Sequence, residues 1–401
     1  TNASFDYIRY QNIDFTGSIG NAVEWSNGVD YCSISNSVIS FAGNSGIAIA
    51  PANGDSTQTL NDSVFNCTIQ NCNKNGVATD GRRTYIGNNT ITHIGQKIGQ
   101  QFNGNEGIYS PGYDVEIKYN TIRGIGYNGI TVKYLGGSLV QYNLIDSTLT
   151  HWDDGGAIYT SGATSKARQR LIDHNIITNV IGNEQGTPNT LSTACGIYLD
   201  EGASGIVVSG NSVANVPFLA GIKLHKSLTN TIRDNTLYND SVGIYSQDDA
   251  GEVSLNNFYQ NNIVVSKNPT QHGFNLYSNT NNVNTNYRGD SNVLVRPFDN
   301  LVFGYKQPNT GYIWIYKTLA QWQKLTGEDA NSNTFPTMFL DLNNFYFYYN
   351  ATSAAVTLGP AILGLFNYSD MRSVNYPASI TLQPYESAVL FKGSAIPRSK
   401  Y

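Results

Sequence analysis

The 401-residue chain is predicted to be all-β: a right-handed parallel β-helix, a solenoid of stacked coils, followed by a small C-terminal β-sandwich. Three observations predict this. An asparagine recurs in the frame apolar-x-x-Asn-x-apolar. Between those asparagines a small residue recurs, followed by alternating apolar residues. The composition, with 39 Gly and 27 Tyr but 2 Met and 13% charged residues, argues against helix bundles. Repetition of this kind marks a chain whose units bury their apolar faces only against their neighbours.

The asparagine frame runs through "IGNNTI", "IKYNTI", "VQYNLI", "IDHNII", "VSGNSV", "IRDNTL" and "VSLNNF", placing Asn89, Asn120, Asn143, Asn175, Asn211, Asn235 and Asn256 in one slot. Cys67 occupies it in "VFNCTI", and Asn36 in a less exact earlier copy. Stacked amides at a turn can hydrogen-bond the same group one coil up and down, which suits a tight inward bend. The second unit runs through "GIAIA", "GVATD", "GIYSP", "GITVK", "AIYTS", "GIYLD", "GIKLH" and "GIYSQ", and its period of two is a half-buried strand signal. Leucine-rich repeats and propellers have different spacings and fit worse.

The solenoid is assigned to residues 1–295, a connecting segment to 296–335 and the sandwich to 336–401. The connecting segment holds an amphipathic helix around Leu319–Leu325, ended by Gly327. The sandwich, with "FYFYYN", "AAVTLG" and "SITLQPYESAVLF", is expected to pack on the solenoid's C-terminal end. "YIRYQNIDF" reads as an incomplete coil, so an uncovered N-terminal end and self-association through it are expectations, as is a processed chain start at Thr1.

A formal charge of −5 without a long basic run argues against nucleic acid as partner, and no apolar run reaches the ~18 residues of a membrane span. Cys32, Cys67, Cys72 and Cys195 lack CxxC spacing and read as small buried side chains. No Asp/Glu cluster has Ca²⁺ spacing, so neither metal nor cofactor is expected.

Three inter-strand turns are long, 90–106, 144–156 and 176–195, and they gather in the middle of the stack. Long loops beside rigid strands are where sites are built. The strands there would point Tyr109, Thr131, Tyr159, Tyr198, Lys223 and Tyr245 outward in one row, and Lys133, Ser161, Asp200, His225 and Gln247 in another. Aromatic faces beside carboxylates are what a sugar polymer needs, although such tyrosines can also simply stack on one another.

Carboxylates concentrate in the same region: Glu106 in "GNEGIY", Asp153 and Asp154 in "HWDDGG", Asp200 and Glu201 in "YLDEG". Glycoside hydrolysis needs two of them, one protonated and one ionised. Asp-Gly and Asp-Glu-Gly are also ordinary turn sequences. On extended strands Asp154 and Asp200 would lie ~20 Å apart, so pairing requires the 144–156 loop to fold back, with His151 and Trp152 as its anchor. Lys133, Lys223 and His225 support a rival chemistry, proton abstraction beside a uronate carboxylate.

"DDGGAIYT", "GIYLDEGASGIVVSGNSVANV", "GIKLHKSLTNTIRDNTLYND", "LAQWQKLTGEDANS" and "ITLQPYESAVL" resemble secreted bacterial β-helical carbohydrate-active enzymes, nearest to the β-helical glycoside hydrolases of families 141 and 120. The resemblance implies a secreted or cell-surface glycoside hydrolase of plant or algal polysaccharides with two carboxylates on neighbouring coils. Carried over, these are Asp153 or Asp154 and Asp200 or Glu201. The outward rows and the nearby acid of this sequence themselves offer Glu106, Tyr109, Lys133, Tyr159, Tyr198, Lys223 and His225 as substrate-binding residues. A lyase and a non-catalytic glycan-binding or surface assembly protein are the alternatives.

Overall fold

The computed structural model describes residues 2–3, 5–25, 28–49, 59–97, 104–133, 136–162, 170–184, 191–249, 251–281, 283, 287–334, 344–359, 368–370, 375–376 and 379–392. Parts of the long turns 90–106 and 176–195 and of the sandwich assignment therefore lie outside the described residues.

The chain winds into three long sheets of 13, 11 and 12 strands, with sequential strands of each sheet contributed by successive coils. The first sheet includes Asn75–Thr79, Glu106–Ser110, Ile130–Lys133, Gly156–Ser161, Cys195–Asp200, Ala220–His225 and Val242–Gln247, all parallel. Its inward residues stack like on like: Ile108, Ile130, Ile158, Ile197, Ile222 and Ile244 are register partners and buried. β-Branched side chains suit this arrangement because their restricted rotamers repeat from coil to coil.

The asparagine ladder sits at the turn between the second and third sheets. Each amide donates to the next one's Oδ1 at 2.9–3.0 Å from Asn89 through Asn120, Asn143, Asn175, Asn211 and Asn235. Two assignments change. Asn256 is a left-handed turn residue, and the next ladder members are Asn262 and Asn292. The frame hides there because Tyr259 and Gly289 stand where Ile or Val stands elsewhere. At the other end Ser37, not Asn36, occupies the slot, accepting from Ile13 N–H.

The ladder does not stop at an open edge. Asn292 donates to Asp329 and its N–H bonds Ser332 Oγ, while the predicted helix, Leu319–Thr326 with Gly327 in the left-handed region, lays Trp322 flat on Phe303 at 4.7 Å. This helix closes the C-terminal end of the core. The antiparallel strands beyond it, Phe345–Tyr349 paired with Ser387–Lys392 and Val356–Leu358 with Ile380–Leu382, do not pack on that end. They lie along the third sheet's outer face, where Phe345, Val389 and Phe391 cluster with Ala214, Tyr238, Ile263 and Val265. The end was already taken by Trp322, and the apolar flank offered the remaining area.

Candidate active site on the first sheet

The outward row of the first sheet has the register read from the sequence: Tyr109, Thr131, Tyr159, Tyr198, Lys223 and Tyr245 are successive partners, beside Lys133, Ser161 and Asp200. Outward is not the same as open. Tyr198 is 2% exposed and Lys223 5%, with the Lys223 ammonium donating to Tyr198 Oη at 3.0 Å and lying 4.4 Å from its ring centre. Tyr245 packs against Trp314. The solvent-facing part of the row is accordingly narrower than the row itself: Tyr109, Lys133, Tyr159 and His225, all partly exposed.

Asp200 is the best-held acid of this surface. Its Oδ2 accepts from Tyr159 Oη at 2.9 Å, and its Oδ1 accepts from the Glu201 N–H at 2.8 Å and meets His225 Nδ1 at 2.6 Å. Burial works to raise its pKa, but the His225 and Tyr159 bonds outweigh it and hold the carboxyl below its usual value. Asp200 is thus an anion at neutral pH. Burial first, and then the charge and hydrogen bond of Asp200, push the Tyr159 phenol far above its ordinary range, so it stays a donor. His225 is turned with Nε2 toward Asp249, 3.7 Å away.

The two aspartates of "HWDDGG" part company. Asp153 is buried, and its carboxylate accepts from Ser192 Oγ at 2.6 Å and Thr193 N–H at 2.8 Å, fastening the next long turn. Asp154 is exposed, at φ 51°, a left-handed conformation that Asp tolerates. The glycines after them have a steric cause: a Cβ on Gly155 would lie 2.7 Å from the Tyr127 ring and 2.3 Å from Asn128 Oδ1.

The loop is anchored as the long turns stack on one another. His151 bonds Gln96 of the turn before, Trp152 lies 6.3 Å from the Tyr127 ring, and Asn183 of the turn after donates to the Trp152 carbonyl. Tyr127 Oη donates to the Asp154 carbonyl at 2.8 Å. Asp154 and Asp200 both act on the same two groups: behind burial, their charges help raise the Tyr198 phenol and the Cys195 thiol. Along the sheet the two are set apart: Asp154 stands just before Gly156, the register partner of Cys195, whereas Asp200 pairs with Ser161 at the other end of the same strands.

Tyr127 is the residue that sequence reasoning missed. Glu106, Asp153, Asp154 and Asp200 all act electrostatically on it. The available signal was an aromatic ring in a slot where neighbouring coils carry Lys74, Asn105, Gly155 and Ala194. Glu106 itself is 3% exposed beside Thr131 and Asn128, and burial pushes its pKa up to about 8, which makes it neutral at pH 7. Glu201 is exposed, at φ 48°, with its carboxylate within 3.9 Å of Lys226.

Among the described residues, one group has metal-ligating geometry: one atom each of Asp200, Glu201 and His225, all within 4.8 Å of one another. The Asp200–His225 contact already uses two of those ligands on each other, so the group reads as a hydrogen-bonded cluster beside the Lys226–Asp249 ion pair at 3.0 Å.

Residues 52–183 match the family model described as a right handed beta helix region. No curated protein matches in sequence. Among solved structures, the chain is similar to XylC in complex with xylose, at 13% identity and a TM-score of 0.45, covering 94% of this chain. It spans 64% of XylC's length. It is also similar to the Azotobacter vinelandii mannuronan C-5 epimerase AlgE4 A-module (14% identity, TM-score 0.41, covering 83% of this chain and 90% of that one). A third similarity is to the tailspike protein of E. coli bacteriophage HK620 in complex with pentasaccharide (12% identity, TM-score 0.45, covering 96% and 78%). At such identities the chemistry has to be read from this chain's own residues.

Proposed function

We propose that this protein is a polysaccharide-acting glycoside hydrolase, with Asp200 and Asp154 as its pair of carboxyl groups. The observation that carries the reading is Asp200, kept ionised by Tyr159 and His225 on a partly exposed tyrosine-bearing sheet, with Asp154 the exposed carboxyl before the start of the neighbouring strand. Hydrolysis needs one carboxylate as nucleophile or water-activating base, which is Asp200's state, and one carboxylic acid to protonate the leaving oxygen. Asp154, whose side chain is exposed, is assigned the second role. Tyr109 and Tyr159 supply ring faces for pyranose units.

One observation favours a second reading, β-elimination on a uronate polymer: Asp200 orients His225 through Nδ1 and leaves Nε2 as a base. The products separate the two. Incubated with plant and algal polysaccharides, the protein is expected to release reducing ends without the absorbance near ~235 nm of an unsaturated uronate, the eliminated product. Asp200→Asn and Asp154→Asn are each expected to slow release by about 100-fold or more. Absorbance at that wavelength assigns the lyase, retention of a glycan without any product assigns a binding protein, and full hydrolysis by both variants removes the hydrolase assignment.

A further inference from the structure

A second polar cleft lies far from Asp200, at the turn between the second and third sheets where the C-terminal strands meet the solenoid. It encloses about 440 Å³ and is lined by Asp173, His174, Ser209, Arg233 and, from the C-terminal strands, Thr381 and Glu386. That volume lies in the range of small-molecule sites.

The sequence changes character where the coils pass this cleft. The residue just before each ladder position is left-handed, and in the coils away from the cleft it is often Asn, as at Asn66 and Asn88, the residue type that accepts this backbone most readily. In the coils leading to and lining the cleft the slot holds Tyr119, Tyr142, His174, Gly210 and Asp234, at φ 61°, 55°, 51°, 63° and 57°. Bulky residues at positive φ carry a backbone cost wherever they occur in this chain, and here they also meet ring to ring. The rings form a continuous platform: Tyr119 stacks on Tyr142 at 5.2 Å with an interplanar angle of 6°, and Tyr142 lies 5.4 Å from His174. Gly210 is required there, since a Cβ would meet the His174 ring at 2.8 Å.

Tyr385 of the C-terminal unit is buried against both Tyr142, at 5.6 Å, and Tyr119, at 6.0 Å, and Tyr119 is still 38% exposed. The cleft's charges are already matched. Asp173 faces His174 at 2.8 Å and accepts from Ser209 Oγ, Arg233 pairs Asp234 at 2.7 Å, and Glu386 accepts from the Gln383 N–H. An anionic ligand would meet three carboxylates with no cation left over for it. A ligand of hydroxyl groups and a flat apolar ring face fits both the paired charges and the platform.

We infer that this cleft is a second glycan site, binding a neutral oligosaccharide segment that extends beside the cleft to the partly exposed Tyr119, with hydroxyls directed to Asp173, Arg233 and Glu386. It is separate from the first-sheet surface and does not depend on the reaction assigned there.

The test is affinity electrophoresis of the full chain carrying Asp200→Asn, through gels containing xyloglucan, arabinoxylan, galactomannan or dextran. At least one polymer is expected to retard it. Tyr119→Ala should weaken that retardation about fivefold to tenfold with an unchanged Tm, Tyr119→Phe should restore it, and Arg233→Ala should weaken it as well. Adding Asp154→Gly should leave it intact. Absence of retardation by all four polymers, or retardation that Tyr119→Ala and Arg233→Ala leave unchanged, overturns the inference. Retardation lost only with Asp154→Gly assigns the binding to the first-sheet surface and overturns it equally.

Discussion

At the scale of the residue, Asp154 can be asked whether it is a turn or a reagent, because its backbone and its carboxylate are separable. Its φ of 51° is one that glycine adopts without cost, so Asp154→Gly relieves strain while deleting the carboxyl. The expected outcome is an equal or slightly higher Tm together with loss of about 100-fold or more in hydrolysis; a variant that keeps its rate makes Asp154 a turn residue only. Asp153→Ala should do the reverse, because it leaves Ser192 Oγ and the Thr193 N–H without their buried acceptor. It should cost about 1–3 kcal/mol by thermal or denaturant unfolding. "HWDDGG" showed that this stretch mattered but not which aspartate did what. The partners that divide the pair, Ser192 and Tyr127, are 38 residues on and 27 residues back from Asp154, and no local pattern links them.

At the scale of the element, the ladder is the device that a single substitution tests most directly. Asn175 donates to Asn211 and to the Val140 carbonyl, and its Oδ1 accepts from both the N–H and the amide of Asn143. Asn175→Ala leaves several buried groups unpaired, at about 1–3 kcal/mol for each group that water cannot reach. A measured loss under about 1 kcal/mol would show that the ladder is not a principal source of stability. Its frame was legible because every coil must repeat the same bend, and the helix around Trp322 was legible from its period and its terminal glycine. What covers what was not legible. Tyr198 and Lys223 occupy the outward positions that alternation assigns them, yet loops from other coils and their own mutual contact bury them. Alternation reports the side of a strand and carries no information about a second layer on that side.

At the scale of the whole molecule, a solenoid with few charges places several acids where water does not reach, and their summed titration decides how stability follows pH. Burial raises Asp62 to about 7, Asp80 to about 6 and Glu106 to about 8, and raises Asp240 well above its ordinary value. For an acid with a raised folded pKa, the native state keeps a proton that the unfolded chain has released. Stability therefore falls as pH climbs from about 4 towards 8. Asp173, Asp200 and Asp299 act in the opposite sense. Burial opposes their ionisation, but hydrogen bonds from His174, from His225 and Tyr159, and from Arg296 hold their values down; the stabilisation is fully present above about 4 and lost as pH drops through the lowered values. The acids favour the acid side of neutrality, but His272, held down to about 4 mainly by burial, costs stability as pH falls below its ordinary 6.5, so the maximum moves up to about pH 5–6. The expected observation is a Tm several degrees higher at pH 5 than at pH 8, with Glu106→Gln narrowing the difference because glutamine has no proton to lose. A Tm that rises from pH 5 to pH 8 would mean that these buried acids are ionised in the native state. Glu106 would then be an anion facing Lys133 and Thr131 rather than a neutral part of the floor beneath Tyr127.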